Sequence, residues 1–242
     1  MIYFLIPAYN EEKSLSKVIY NIRKHFKENY KIIVINDGST DNTAKELSKL
    51  VSTDLSVINH KTNLGLGSAI KTGLIYILPT LTSEDAVITM DADNTHPVEI
   101  SYLMIEKFNQ GCDLIIASRY IKDARQYGVS FFRKLLSFSA KLILQKFFPY
   151  CNIKDYTSGY RLYSGGLLKK MFEYYKEYII TQNNFVVQLE LLVKSFRFKP
   201  KVCEVPLKLE YYRKYGKSKL KIIKNIISYV KLIIKLKIRK DL

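Results

Sequence analysis

The stretch Val87-Ile88-Thr89-Met90-Asp91-Ala92-Asp93 determines how the rest of the sequence is interpreted. It predicts a buried apolar strand that ends in two aspartates separated by one residue. Two carboxylates at the tip of a buried strand are costly unless a cation lies beside them. Mg²⁺ or Mn²⁺ suits such oxygen ligands, with phosphate oxygens completing its shell. We therefore expect Asp91 and Asp93 to bind a metal, while a capped helix start before Pro97 is the alternative.

Short β-branched runs alternate with longer amphipathic stretches on both sides of this strand. The predicted strands are Ile2–Ile6, Lys31–Ile35, Leu55–Ile58, Ala86–Met90 and Asp113–Ala117, and the predicted helices between them are 12–28, 41–51, 66–78 and 97–110. The second half favours helices at 130–148, 165–176 and 184–195, and an edge strand, Lys201–Leu209, that Pro206 breaks. This alternation predicts an α/β fold: a Rossmann-like, mostly parallel sheet with helices on both faces.

Polar clusters follow three of the predicted strands, where ligands bind in parallel sheets. Pro7-Ala8-Tyr9-Asn10-Glu11-Glu12 follows the first strand and is also compatible with an ordinary strand-to-helix turn. Asn36-Asp37-Gly38-Ser39-Thr40-Asp41 follows the second. Helix capping explains Ser39 to Asp41 but gives Asp37 no local role, so we expect its carboxylate to accept the ring N–H of a nucleobase.

The glycine-containing stretch Asn63-Leu64-Gly65-Leu66-Gly67-Ser68-Ala69 resembles a dinucleotide-binding loop only superficially. It lacks the third glycine and an acidic residue at the expected distance. We interpret it as close backbone packing at the start of a helix that faces the nucleotide.

The net charge is concentrated near the C-terminus. The 242 residues suit one domain and carry a formal net charge of +17. From Arg197 to Leu242 we count 15 Lys and Arg against 3 Asp and Glu, so this segment supplies +12 of that charge. Anionic lipid and nucleic acid are the partners that such a segment favours.

From Leu220 onward the apolar residues fall close to helical spacing, with lysines beside or opposite them. This pattern is typical of an interfacial helix whose lysines lie among anionic headgroups. A C-terminal helix packed on the domain with a solvated basic face is the alternative. We expect no nucleic-acid partner, because the basic residues form no recognisable binding motif and nucleic acid would not need the apolar face.

Cysteine usage and the N-terminal sequence bear on the compartment. The three cysteines, Cys112, Cys151 and Cys203, are an odd number without CxxC spacing, which argues against a disulfide framework and a zinc site and for a reducing compartment. The stretch Met1–Ile6 indicates a strand rather than a signal peptide, and no run of about eighteen apolar residues predicts a membrane span.

In this order and spacing, the clusters resemble family 2 glycosyltransferases, whose A-x-N-E-E, N-D-G-S-x-D and D-A-D elements lie at strand ends. Later elements are similar to the dolichyl-phosphate mannose synthase branch, which transfers a sugar from GDP-mannose or UDP-glucose to a polyprenyl phosphate. These elements are Ala117-Ser118-Arg119-Tyr120, Arg133 within a helix, Asp155-Tyr156-Thr157-Ser158-Gly159-Tyr160-Arg161 and Arg213-Lys214-Tyr215-Gly216-Lys217-Ser218-Lys219. The resemblance extends from Tyr3 to Lys219 and implies the GT-A fold and inverting hexosyl transfer.

The resemblance also implies roles for individual residues. The nucleoside would be contacted by Pro7, Tyr9, Glu11 and Asp37. The metal and the sugar diphosphate would be held by Asp91 and Asp93, with Arg213 and Ser218 or Lys219 closing over the donor phosphates. The lipid phosphate would be received by Arg119, Arg133 and Ser137, and the catalytic residues would be Asp93, Arg119 and Arg133. The chain departs from the pattern at Thr95, where related enzymes have a glutamine as third metal ligand.

The expected organisation is a GT-A domain at 1–216, divided into a nucleotide-sugar part at 1–118 and an acceptor part at 119–216, followed by a membrane-surface helix at 217–242. Such an enzyme would be cytoplasmic and peripheral on the cytoplasmic face of a membrane. Transfer to a sugar hydroxyl is the alternative and would need a carboxylate base. Glu190 is a candidate, although its sequence context favours one turn of a helix. The chain contains no Trp, which excludes processive synthases with a Q-x-x-R-W element.

Overall fold

Strands and helices alternate through the first half of the chain, as predicted. The computed structural model describes residues 1–150, 153–214 and 227–234. In that part the strands are β1 Ile2–Ala8, β2 Tyr30–Asn36, β3 Leu55–Asn59, β4 Ala86–Thr89, β5 Leu114–Ser118, β6 Arg125–Tyr127, β7 Arg161–Ser164, β8 Val202–Pro206 and β9 Lys208–Glu210. The α-helices are α1 Leu15–His25, α2 Thr43–Ser48, α3 Leu66–Ile77, α4 Ile100–Asn109, α5 Phe131–Phe147, α6 Gly165–Tyr175 and α7 Val187–Ser195.

A seven-stranded sheet with the order β3-β2-β1-β4-β7-β5-β8 forms the centre of the molecule. All neighbouring strands in it are parallel except β7, which runs antiparallel between β4 and β5. The short strands β6 and β9 form a separate two-stranded ribbon. This mostly parallel sheet confirms the predicted fold class.

Helices cover both faces of the sheet. Successive residues of a strand point to opposite faces, and Phe4 and Leu5 of β1 accordingly belong to two different hydrophobic cores. Phe4 packs in the core that contains Val18 of α1 and Met104 of α4. Leu5 packs in the core that contains Leu74 of α3. The sheet therefore gains a rigid support on each side.

The element boundaries agree with the sequence prediction to within three residues, but two strands were not predicted. Lys201–Leu209 divides at Pro206 as expected, since β8 ends there. The missing strands are β6 and the central strand β7. β7 has only four residues and begins with Arg161, whose side chain is fully buried. A local hydrophobic pattern cannot reveal such a strand, because its pairing with β4 and β5 and the hydrogen bonds of its arginine are tertiary.

The expectation that the cysteines form no disulfide is wrong for one pair. Cys112 and Cys203 are joined, with 6.1 Å between their Cα atoms. Cys112 lies two residues before the start of β5, and Cys203 lies in β8, the neighbour of β5 in the sheet. The two residues are 91 positions apart and meet only because these strands pair, so their spacing gives no signal. Cys151 lies outside the described residues.

Residues 227–234 are helical and lie against the domain. Leu232 and Ile233 are buried in the core, and Ser228 accepts a hydrogen bond of 2.9 Å from Asn184. Ile227 and Ile234 are half exposed. One face of this segment therefore packs on the domain, as in the alternative interpretation of the C-terminal helix. The remainder of the predicted helix at 217–242 lies outside the described residues. Among the residues that the structure does describe, no helix combines the length and the apolar character needed to cross a membrane.

Gly165, the first residue of α6, directly follows β7 and packs closely against the chain before β4. A Cβ atom on Gly165 would lie 1.9 Å from the carbonyl oxygen of Thr82, whereas one on Gly166 would meet nothing closer than 3.7 Å. We expect Gly165→Ala to lower the free energy of unfolding by about 1–3 kcal/mol through overpacking. The matched change Gly166→Ala should be neutral or stabilising by up to about 1 kcal/mol. Urea denaturation measures both, and equal effects would contradict this packing.

Candidate functional site

A cleft of about 830 Å³ opens at the carboxyl ends of the central strands. It brings together most of the residues that the sequence singles out. The predicted site residues that line it are Pro7, Tyr9, Glu11, Asp37, Asp91, Asp93, Arg119 and Arg133. Segments from both halves of the chain therefore contribute to one site.

Asp91 and Asp93 follow directly after β4 and face different surroundings. Asp93 is buried, and its Oδ1 accepts hydrogen bonds from the backbone N–H and the hydroxyl of Thr95. Its Oδ2 forms an ion pair with the ammonium group of Lys214. Asp91 keeps 38% of its side-chain surface open to the cleft. Thr95, the departure from the family pattern, thus bonds to Asp93 and also lines the cleft.

The two carboxyl groups have pKa values displaced in opposite directions. Burial among cleft walls raises the pKa of Asp91, and the nearby Asp93 adds to this although His96 opposes it. Burial would also raise the pKa of Asp93, but the Lys214 ammonium, His96 and the hydrogen bond from Thr95 together hold that pKa below its usual value. Burial would lower the pKa of Lys214, but the carboxylates of Asp93, Asp91 and Glu11 together raise it. A positive charge is therefore already favoured beside Asp93.

The acidic pair fits a hard divalent cation that also binds phosphate. Among residues 1–150, 153–214 and 227–234, no group of three or more His, Cys, Asp or Glu side chains could hold a metal. Two carboxylates leave several positions of a Mg²⁺ or Mn²⁺ shell to water and phosphate oxygens, which is how such ions bind in nucleotide enzymes. In the structure the Lys214 ammonium compensates the charge of Asp93, and metal binding by the acidic pair stays a prediction.

His96 has a structural role beside the acidic pair. Its ring is buried and stacks on Tyr160 with 4.9 Å between ring centroids. Its Nδ1 accepts the backbone N–H of Asp91 at 3.2 Å. The Nε2 atom lies 3.9 Å from Oδ2 of Asp91. His96 therefore fixes the turn that carries both aspartates.

Asp37 has a local role that the sequence interpretation did not give it. Its Oδ1 accepts the backbone N–H of Leu64 at 2.9 Å and contacts Nδ1 of His60 at 2.7 Å. Its Oδ2 accepts the backbone N–H of Gly65 at 2.8 Å. The argument that capping leaves Asp37 without a function was wrong, because its partners lie after the next strand. Its contact with a nucleobase stays a prediction.

The glycines that precede and begin α3 pack against the loop before α7. A Cβ atom on Gly67 would lie 1.7 Å from the carbonyl oxygen of Gln182. A Cβ atom on Gly65, whose φ is +94°, would lie 2.3 Å from that of Asn183. This confirms the close backbone packing expected at this helix start. It also fixes the loop that leads into α7 along the cleft.

Arg119 is held by a buried carboxylate. Its Nε and Nη2 atoms donate to the two carboxylate oxygens of Asp155 at 2.8 and 2.6 Å, and Nη2 also donates to Thr157. Burial would raise the pKa of Asp155, but the Arg119 guanidinium holds it below its ordinary value. Nη1 of Arg119 takes no part in these bonds. The fork of Arg119 is therefore fixed in place at the cleft wall.

Arg133 lies on the inner face of α5. Its Nη1 donates to the hydroxyl of Tyr211 at 2.7 Å, and its guanidinium lies 5.3 Å from the centroid of that ring. Ser137, one turn further along, is hydrogen-bonded to the hydroxyl of Tyr120. Ser137 is not among the residues that line the cleft. Of the three predicted acceptor residues, the structure thus brings Arg119 and Arg133 to the cleft.

Arg213, one of the residues predicted to close over the donor phosphates, is not among the residues that line the cleft. Arg213 forms an ion pair of 2.9 Å with Glu210 and lines a second, smaller depression beside Pro97. Ser218 and Lys219 lie outside the described residues. The neighbour of Arg213, Lys214, is the basic residue that reaches the cleft. Lys214 belongs to the stretch Arg213–Lys219 that carries the family resemblance. The sequence gives no signal, however, of which of the two consecutive basic residues, Arg213 or Lys214, points into the cleft.

Glu190 is not placed to act as a base. It lies in α7, as expected, and is fully buried. Its carboxylate accepts bonds from Thr181 and Gln182 and forms an ion pair of 2.7 Å with Lys194. It is not among the residues that line the cleft. Its role is to hold the loop before α7.

Comparison with known sequences gives relatives along nearly the whole chain. The dolichol-phosphate mannosyltransferase of Pyrococcus furiosus is 33% identical over 235 residues, which are 96% of this chain and 62% of that protein. The chain therefore spans less than two thirds of that relative. The UDP-N-acetylglucosamine–dolichyl-phosphate N-acetylglucosaminyltransferase of Methanococcus voltae is 29% identical over 87% of this chain and 86% of that protein.

Comparison with solved structures gives the same fold. Glucosyl-3-phosphoglycerate synthase from Mycobacterium tuberculosis, in complex with Mn²⁺, UDP and phosphoglyceric acid, superposes with a TM-score of 0.67. The match covers 100% of this chain and 78% of that structure at 20% identity. The family model for glycosyl transferase family 2 matches residues 3–172. The chain belongs to this family and is a glycosyltransferase with the GT-A fold.

Proposed function

We propose that this glycosyltransferase transfers a hexose from a GDP- or UDP-sugar to a polyprenyl phosphate. The observation that carries the proposal is that an acidic pair and two arginines line one cleft: Asp91 and Asp93 suit a metal-bound diphosphate, and Arg119 and Arg133 suit a second phosphate. The names of two relatives, both transferases that act with dolichyl phosphate, support it. Those relatives differ in sugar, so the hexose stays open between mannose, glucose and N-acetylglucosamine.

The donor side of the cleft is built to stabilise a leaving nucleoside diphosphate. A Mg²⁺ or Mn²⁺ ion, when bound by Asp91 and Asp93, supplies charge neutralisation for the departing diphosphate. Lys214 can exchange its contact with Asp93 for a phosphate oxygen, because an ammonium binds either anion as a point charge. Pro7, Tyr9, Glu11 and Asp37 would surround the nucleoside.

The acceptor side requires positioning more than activation. A phosphate monoester is already an anion at neutral pH, so its oxygen can attack the anomeric carbon without a strong base. The new C–O bond forms as the bond to the diphosphate breaks on the opposite side, which inverts the anomeric configuration. Arginines hold such a phosphate by paired hydrogen bonds. The engagement of Glu190 in structural contacts disfavours the alternative, transfer to a sugar hydroxyl with that residue as base.

An apolar stripe on α5 supports a membrane-surface location beside the acceptor arginine. Phe131, Leu135, Phe138 and Leu142 recur at helical spacing and are 45–81% exposed. Within α5, Leu144 is the buried residue, and Arg133 and Ser137 share its side of the helix. The sequence interpretation predicted this helix at 130–148 but assigned the lipid-binding surface to 217–242.

The charge around the stripe fits an anionic bilayer. Lys134 and Lys146 are exposed on the same helix, and Lys141 lies 5.1 Å from the ring centroid of Phe138. Apolar side chains in the acyl boundary with lysines among the headgroups are how peripheral helices bind. Arg133 would then lie where the head of a polyprenyl phosphate leaves the bilayer. The location we propose is peripheral, on the cytoplasmic face of a membrane.

The principal test is a donor screen. GDP-mannose, UDP-glucose and UDP-N-acetylglucosamine are each incubated with polyprenyl phosphate and Mn²⁺, and we expect one to give a lipid-linked sugar of inverted configuration. Asp93→Asn should lower turnover by at least roughly 100-fold and weaken Mn²⁺ binding in electron paramagnetic resonance titrations. Because Lys214 already compensates Asp93, we do not expect this variant to gain stability, unlike the sequence-based expectation of a repulsive charge.

A matched control for that variant is Asp54→Asn. Asp54 is also ion-paired, with Arg23, but it lies next to the start of β3, at the opposite edge of the sheet. It should lose stability and keep both transfer and Mn²⁺ binding. Full transfer by Asp93→Asn, full transfer in excess chelator, or a product of retained configuration would each contradict the proposal.

The Arg119–Asp155 pair makes a pH-dependent prediction. Asp155→Asn leaves Arg119 partly unpaired in a buried position and should cost about 3–5 kcal/mol of stability at pH 7. The pKa of Asp155 is lower in the folded state than in the unfolded state. Its contribution to the free energy of unfolding is therefore complete above the unfolded-state pKa of about 3.9 and is lost as pH falls through the folded-state pKa. The difference in the free energy of unfolding between wild type and Asp155→Asn, measured by urea denaturation, should therefore be constant from pH 8 to 5 and become smaller below about pH 4.

Thr157→Val is the control for this pair, since it removes only the neutral partner of Arg119. It should cost about 1 kcal/mol, with no narrowing at acid pH. A difference between wild type and Asp155→Asn that stays constant down to pH 3 would show that Asp155 is not the ionised partner of Arg119.

The α5 stripe is tested by vesicle sedimentation. Leu135→Glu/Leu142→Glu should reduce binding to phosphatidylglycerol–phosphatidylcholine vesicles by about tenfold or more, since two apolar side chains are lost from the acyl boundary. High salt should weaken wild-type binding. Ile75→Glu on α3 is the control, because Ile75 is 49% exposed and Leu135 50%. Equal binding of the stripe variant and the control variant would rule out α5 as the contact surface.

A further inference from the structure

Two buried polar atoms beside Asp91 have no hydrogen-bond partner within the part of the chain that the structure describes. They are Oγ of Ser158 and Oε1 of Gln188. Ser158 is 4% exposed and Gln188 5%, and both residues line the cleft. A buried polar atom left unpaired costs about 1–3 kcal/mol. Two such atoms in residues that line one cleft therefore indicate a ligand that bonds to them.

The main chain of both residues is firmly held, which leaves the side chains available. The backbone N–H of Ser158 donates to Oδ1 of Asp155 at 3.0 Å. The carbonyl oxygen of Gln188 accepts a bond from the buried guanidinium of Arg161. Fixed backbone positions with unsatisfied side-chain oxygens are the arrangement expected of a preorganised binding site.

The position of Gly159 places these atoms next to the proposed diphosphate site. A Cβ atom on Gly159 would lie 3.0 Å from Nε2 of Gln188 and 3.7 Å from Oδ1 of Asp91. The amide of Gln188 and the carboxylate of Asp91 thus both lie within 4 Å of the same point beside Gly159. A group bound by Gln188 is therefore adjacent to a group bound at Asp91.

We infer that Ser158 and Gln188 form the subsite for the transferred sugar, an inference that rests on the proposed function. A hexose linked to the diphosphate would lie beside Asp91, with its hydroxyls facing these atoms. One sugar hydroxyl donates a hydrogen bond to Oε1 of Gln188, and the Ser158 hydroxyl donates a hydrogen bond to a sugar oxygen. Buried polar groups of this kind select against sugars that lack the matching hydroxyl, because the protein atoms are then left unpaired.

The experiment compares binding of the nucleotide sugar that supports transfer with binding of its nucleoside diphosphate, by calorimetry. Gln188→Met, which keeps the chain length, and Ser158→Ala should each weaken binding of the nucleotide sugar by about 10- to 100-fold. Their affinity for the nucleoside diphosphate should change by less than about twofold. Ser195→Ala is the control on α7, because Ser195 is a buried serine that bonds to Leu192 away from the cleft.

Monodeoxy donors identify the hydroxyl. One monodeoxy donor should bind the wild type more weakly than the complete donor does. The Gln188→Met variant should bind that monodeoxy donor and the complete donor equally well, because the hydrogen bond is already lost. Equal weakening of nucleotide sugar and nucleoside diphosphate, or unchanged binding of both, would overturn the subsite. If no nucleotide sugar binds to the wild type or supports transfer, the proposed function itself fails. If transfer occurs while Gln188→Met and Ser158→Ala discriminate deoxy donors as wild type does, only the subsite is wrong.

Discussion

The ion pair between Lys214 and Asp93 joins parts of the chain on which the cleft depends. β4 is buried along its length and delivers two aspartates to the edge of the sheet. The compensating ammonium comes from a residue 121 positions further along. The segment that carries it is anchored beside the acidic turn, because the backbone N–H of Glu210 donates to the carbonyl oxygen of Thr95 at 3.1 Å. The ion pair and this hydrogen bond thus hold the segment 210–214 beside the acidic turn.

A second chain of buried charges positions the acceptor side. Glu204 of β8 accepts the backbone N–H groups of Lys154 and Asp155 and so orients the loop between them and β7. Asp155 in turn fixes the guanidinium of Arg119 at the end of β5. Burial raises the pKa of Glu204, and the negative charge of Asp155 adds to this effect. Arg119, which we propose receives a phosphate, is therefore oriented by carboxylates that do not themselves line the cleft.

The first half of the fold and most of the site residues were predictable from sequence, and the reasons are local. Periodicity predicts strands and helices, and Asp91 and Asp93 are recognisable as site residues because two carboxylates at the tip of a buried strand need a compensating charge. The partners of Asp37, the choice of Lys214 over Arg213 and the Cys112–Cys203 disulfide depend on pairing between distant strands and loops. The exposure of the apolar stripe on α5 could not be predicted, because an apolar helix face has the same sequence pattern whether it is packed or exposed.

The antiparallel strand β7, which the sequence did not reveal, explains why the two halves of the site meet. In a parallel sheet all strands end at the ligand-binding edge, whereas a reversed strand begins there. Arg161 at the start of β7 is paired with Thr89 at the end of β4, so the preceding residues, including Ser158 and Gly159, enter at the edge where Asp91 lies. The buried guanidinium of Arg161 then bonds to the carbonyl oxygens of Tyr156 and Gln188. One reversed strand thereby connects the acceptor loop, the acidic turn and α7, which parallel strands alone would keep apart.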